Sequence, residues 1–268
     1  MATRMLAMSG YGLWVWLGLG LAVGVFPAGR GDTLVPLAWG GALIGLGPLL
    51  ACLPWIGLPE WLGWRFGRHS RPTAEGLIAL AAFLPMMAVA GLARGDNLFW
   101  ATRLSGGALA ALSLVTLVYA MRLPRTSVRG WGPVFAASAG RMVAALYSGG
   151  LWLFAMAQGG EDAPGLWIAL VQLVTVVAGV LDAIRWRALW RSKVSTTSAK
   201  RRQTRARHML SGLLVYVLPG VVLLLTPWGV GHTWLATLAA VGCVLGKSLD
   251  QDLYHRSLAR ADSHLSPA

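Results

Sequence analysis

The sequence predicts an all-α integral membrane bundle of eight transmembrane helices with both termini in the cytoplasm. Three observations lead there. The 268 residues are 56% hydrophobic and 12% charged, with mean hydropathy +0.60, whereas a soluble domain carries about 25% charged residues. The apolar residues gather into eight spans, at about 11–28, 34–58, 77–93, 98–121, 133–157, 165–184, 208–226 and 232–250, near the roughly 20 residues that cross hydrocarbon as a helix. The cations alternate: the gaps 59–76, 122–132 and 185–207 hold 15 Lys and Arg, the other four only Arg30 and Arg94. Retention of short basic loops at the cytoplasmic face produces such an alternation. Arg4 before the first span and Arg256 and Arg260 after the last agree with it. The loops leave no room for a soluble domain, so residues 1–268 read as one transmembrane domain. The location this implies is the bacterial inner membrane.

Each span carries its own signals. The first runs into Pro27, Ala28 and Gly29 without an AxA-type cleavage site, so it reads as a retained helix. The second contains Pro48, Pro54 and Cys52, and Trp55, Trp61 and Trp64 near its end mark an interface. The third follows Thr73 and Glu75, residues suited to a helix start, and contains Pro85. The fourth carries Arg103 near its outer start, within reach of Asp96 or headgroups. Trp131 precedes the fifth, and Arg141 lies eight residues inside it, about 12 Å deep at 1.5 Å per residue. The sixth ends with Asp182 and Arg185 at pairing distance along one helix, then Trp186 and Trp190 as interfacial anchors. Residues 192–207, polar and basic without an apolar stripe, read as a surface loop on headgroups or beneath an acidic partner. The seventh span contains Pro219. The eighth holds Cys243 and ends with Lys247 and Asp250, again three apart. Gly20/Gly24, Gly41/Gly45 and Gly242/Gly246 are spaced for close helix approach.

The net charge of +13 belongs to topology-setting loops and anionic lipid rather than to nucleic acid. Ionisable groups inside a membrane are costly and mark function by default, which singles out Arg141, Asp182 and Lys247. None of the five His lies mid-span, so facing His ligands for a haem are absent, and no CxxC-type metal spacing occurs. Hydrolase and kinase motifs are missing as well. The cluster after the second span, Arg68-His69-Ser70-Arg71-Pro72 with Glu75, suits a quinone: His69 titrates near neutrality, Arg71 holds a carbonyl, and Glu75 passes a proton. The same residues also suit a basic loop that only sets topology.

The element His69-Ser70-Arg71-Pro72 after the second of eight spans, Tyr119-Ala120-Met121-Arg122 ending the fourth, Trp131-Gly132-Pro133 entering the fifth, and Gly246 with Tyr254 closing the last form a series. In that order they resemble the membrane-anchor subunit of the dimethyl sulfoxide reductase group. The resemblance implies a subunit that anchors an iron–sulfur protein and a molybdopterin catalytic subunit, exchanges electrons with quinone, and holds no metal itself. Two other readings fit the residues: a structural or assembly subunit of a larger membrane complex, and a small-molecule transporter with Arg141 in an internal cavity.

Overall fold

The computed structural model describes residues 2–24, 30–51, 74–93, 99–120, 131–157, 165–191, 198–226 and 233–263, and these are helical almost throughout. In order they are α1 (Ala2–Val23), α2 (Arg30–Ala51), α3 (Ala74–Ala81), α4 (Phe83–Leu92), α5 (Trp100–Ala120), α6 (Trp131–Ala157), α7 (Gly165–Arg191), α8 (Ser198–Gly212), a π-helical turn (Leu213–Val217), α9 (Leu218–Leu225) and α10 (Thr233–Ser263). No strand occurs among the described residues. Among the described residues, three helical stretches are long and apolar enough to cross a membrane: Arg4–Val23, Trp100–Ala120 and Arg205–Leu225. Large apolar side chains such as Leu84, Trp100, Leu104 and Leu224 face outward, as they do where lipid is the surrounding medium.

The first helix is the axis of the bundle. A helix hydrophobic all round belongs in an interior, and α1 buries Met5, Met8, Tyr11, Leu13, Trp14, Leu17 and Leu21 against α2, α5, α6 and α10. Glycines on three of its faces allow this. A Cβ on Gly10 would lie 2.7 Å from the Gly40 carbonyl of α2, one on Gly12 would overlap the Ala145 carbonyl of α6, and one on Gly18 would lie 2.5 Å from the Gly106 carbonyl of α5. Polar side chains complete the contacts: Tyr11 Oη donates to the Ala79 carbonyl (3.0 Å), Trp14 Nε1 to Leu37 (3.0 Å) and Trp16 Nε1 to Leu146 (2.8 Å). Arg4 donates to the Ala120 carbonyl at the end of α5 (2.6 Å), where a cation suits the exposed carbonyls of a helix C-terminus. The helix stops at Gly24, whose φ of +77° is a left-handed cap.

Several boundaries and roles differ from the sequence reading. Arg4 lies within α1, which begins well before residue 11. The third span is interrupted at Ala82, three residues before Pro85, whose ring and missing N–H cannot continue the helix. Residues 198–207, expected as part of a surface loop, are helical as the start of α8, which runs through the π-turn into α9 as one rod. Trp186, expected at an interface, is buried. Of the proposed glycine pairs, Gly242 and Gly246 do make a close approach, to Leu218 and Val215 respectively, while nothing lies near a Cβ on Gly45.

The π-turn has a local cause. Pro219 offers no N–H to the carbonyl four residues back, that of Val215. Tyr147 Oη, from α6, donates to that carbonyl at 2.9 Å, and the Leu218 N–H reaches back to Leu213. A neighbouring side chain thereby satisfies the backbone that the proline releases. Single π-turns inside helices occur often at functional sites, and this one carries Tyr216.

Candidate functional site

Tyr216 points from the π-turn toward α7 and α10. Its hydroxyl donates to Asp182 Oδ2, which also receives Lys247 Nζ, and Lys247 Nζ donates to Tyr216 Oη at 3.1 Å. Lys247 is 2% exposed and Asp182 9%. The lysine also lies over the tyrosine ring, 5.3 Å from its centroid. In an apolar interior neither charge is tolerable alone, and the pair persists because each ion and the hydroxyl satisfy one another.

A second layer stands beside it. Trp186, one helical turn beyond Asp182, donates to Asp250 Oδ1 at 2.9 Å. His208 packs on Trp186 with ring centroids 4.2 Å apart, and its Nδ1 lies 3.7 Å from Asp250 Oδ1. Ser211 Oγ donates to the Gly246 carbonyl at 2.9 Å, locking the α8 rod against α10. These groups line a cavity of about 340 Å³ bounded by α7, α8, the π-turn and α10. Its walls combine aromatic rings (Trp186, Tyr216), a cation (Lys247), two carboxylates (Asp182, Asp250) and an imidazole (His208), with Arg187 at the rim. Such a chamber can hold a flat polar ring, donate hydrogen bonds to its oxygens and accept its protons. Among the described residues no three His, Cys, Asp or Glu side chains gather closely enough to hold a metal ion.

The residues expected from sequence divide into two groups. Asp182 and Lys247, each expected to pair with its own helix neighbour, meet across helices, from α7 to α10. On α6 it is Gly140, next to Arg141 in sequence, that comes near them: a Cβ there would lie 3.8 Å from Asp182 Oδ1. Arg141 is half-buried and engaged in an interaction. His69 and Arg71 lie outside the described residues, as does the side chain of Glu75, although its backbone belongs to α3. Cys243 is buried and free, whereas Cys52 lies outside the described residues.

Sequence reasoning missed Tyr216, His208 and Asp250 as members of one site. The available signal was a tyrosine three residues before Pro219 in an otherwise aliphatic span. A proline there leaves a carbonyl to be satisfied and disturbs the helical register that would otherwise set the tyrosine's direction.

No protein-family model, no curated protein and no solved structure matches this chain.

Proposed function

We propose that the chain is a multi-pass subunit of the bacterial inner membrane that exchanges electrons between the quinone pool and a soluble iron–sulfur partner. Eight crossings place both termini in the cytoplasm. The buried Lys247–Asp182–Tyr216 group, set in a cavity with an aromatic wall, carries this reading. The volume lies at the lower end of the roughly 300–1,000 Å³ usual for small-ligand pockets, enough for a quinone headgroup. Lys247, which keeps one ammonium hydrogen beyond those given to Asp182 and Tyr216, is the donor for one quinone oxygen and His208 for the other, while Tyr216 holds the lysine in place. On quinol oxidation two electrons leave to the partner's iron–sulfur centre and two protons to Asp182 and to His208, backed by Asp250. Asp182 lies seventeen residues into α7, about 26 Å from its start at 1.5 Å per residue. With α7 entering from the outer face, that depth puts the cavity near the cytoplasmic side, beneath the basic loops that would meet the iron–sulfur subunit and its molybdopterin catalytic partner. The resemblance of the sequence to anchor subunits supports the same function; the side chains of His69, Arg71 and Glu75 lie outside the described residues, and this cavity is the quinone position that the described geometry favours.

One observation favours a structural subunit instead: Asp182 has two donors, so the network is satisfied without any ligand. Quinone content separates the two readings. Protein purified in mild detergent is expected to retain quinone, and Tyr216→Phe and His208→Ala are expected to lose it by about tenfold or more, remaining folded. Quinone-free wild-type protein, even after incubation with quinone, would establish the structural reading.

The orientation has its own check. A phosphatase fused after Glu161 is expected to be active outside the cytoplasm, and one fused after Ala199 inactive. The reason is the absence of cations between residues 158 and 164 against nine between 185 and 207. Activity at Ala199 would invert the topology.

A further inference from the structure

The cavity has a side door. Of its lining residues, Ala183 and Arg187 of α7 are exposed, and Gly179 and Gly212 are partly so. The opening therefore lies between α7 and the α8 rod. Levels along the two helices match: a Cβ on Gly179 would lie 3.8 Å from Tyr216 Cε1, and the Trp186 ring packs against His208 at a tilt. On both sides of the gap the exposed neighbours are apolar, Val180 and Ile184 on α7, Met209 and Leu213 on the rod. Water gains nothing from such a rim, but hydrocarbon does. Cations stand at one end only: Arg187 at the cavity, and Arg205 and Arg207, both exposed, where the rod leaves its apolar stretch. That arrangement is the one by which arginine reaches a headgroup layer from an apolar stem. The opening thus faces lipid just below the headgroups.

We infer that the cavity is loaded sideways from the inner leaflet, through a gap between α7 and α8 bordered by Gly179, Ala183 and Gly212, and that its ligand is a quinone whose isoprenoid tail stays in the bilayer while its ring meets Lys247. This rests on the quinone reading above. The tail needs a slot no side chain fills, and Gly212 supplies one: a Cβ there meets no atom within 4 Å. Packing does not demand a glycine at this position, since a Cβ there displaces no neighbour. The ring needs only the chamber, so it remains indifferent to what closes the door.

The test uses full-length protein in lipid nanodiscs, with a long-chain ubiquinone and its tail-free headgroup analogue as probes. Gly212→Leu is expected to weaken binding of the tailed quinone by about tenfold or more and to leave the tail-free analogue within about twofold of wild type. Ala183→Leu, on the opposite side of the gap, should reproduce this split, so a folding defect in one variant leaves the other to decide. Gly220→Leu, whose Cβ also meets no atom within 4 Å but which stands on α9 outside the cavity lining, should change neither probe. Equal binding of both quinones to the two door variants would overturn the lateral entry while leaving the quinone site standing. Failure of both probes to bind wild type, or phospholipid in their place, would overturn the site and the entry together.

Discussion

Lys247→Met is expected to destabilise the bundle by about 3–5 kcal/mol, the usual cost of removing one partner from a buried ion pair. Lys247 is 2% exposed and its ammonium is held by Asp182 and Tyr216. Methionine fills nearly the same volume, so the loss comes from the Asp182 carboxylate left without its counter-ion rather than from a void. The double variant Asp182→Asn with Lys247→Met should recover most of the stability, because the neutral amide oxygen still accepts the Tyr216 hydroxyl and no net charge remains buried. Unfolding in mild detergent measures both. The functional readout is different: on the quinone reading, bound quinone should be lost in the single variant and stay lost in the double one, since neither retains the ammonium proposed to hold a quinone oxygen. Recovery of stability and quinone content together would make the pair a structural element only. A single variant as stable as wild type would mean that water reaches Asp182.

Gly12→Ala should do still more damage, through one methyl group. The Cβ would overlap the Ala145 carbonyl and lie 2.7 Å from the Ala145 carbon. These are backbone atoms of α6, which cannot turn aside as a side chain does, so the two helices must separate. Overpacking costs about 1–3 kcal/mol in an ordinary core. Here the displaced element is the axis, and shifting α1 from α6 strains its contacts at Gly10 and Gly18 with α2 and α5 as well. The expected result is loss of monodisperse protein on size exclusion, and the same for Gly149→Ala, whose Cβ would meet the backbone of Gly12 and Leu13. Gly45→Ala and Gly91→Ala are the controls, with nothing within 4 Å of either Cβ. Those two should be neutral, or gain up to about 1 kcal/mol from better helix propensity. Wild-type behaviour of Gly12→Ala would remove the α1–α6 crossing.

Sequence and structure meet most closely where the physics is one-dimensional. A continuous apolar stretch forms a helix whatever packs against it, because in lipid the backbone must bond within itself. Each of the eight apolar spans accordingly contains a described helix. Helix ends were less legible: α7 and α10 run on to Arg191 and Ser263, past their apolar spans, since water also accepts helix and the switch in composition marks a change of medium rather than of backbone. The interruption at Ala82 and the π-turn before Pro219 were half legible. The prolines announce a broken ladder, but the donor that repairs it, Tyr147, comes from another helix.

Of the candidate site, the sequence made Asp182 and Lys247 legible, but neither Tyr216 and His208 beside them nor the arrangement. Cost alone singles out Asp182 and Lys247, because a charge in an apolar span demands a partner. Which partner depends on how helices turn about their axes, and the nearest candidates in sequence, Arg185 for Asp182 and Asp250 for Lys247, differ from the contact that joins α7 to α10. The all-helical class, the spacing of charge between apolar spans and the presence of costly ions were legible in the sequence alone, since each follows from the free energy of moving a residue between water and hydrocarbon. Only the tertiary structure decided that α1 is the axis, that the π-turn aims Tyr216 at Asp182, and that Trp186 and His208 wall a cavity. Those depend on rotation and crossing of helices, which are settled by glycine-sized gaps and by hydrogen bonds between residues as far apart in the chain as Asp182 and Lys247.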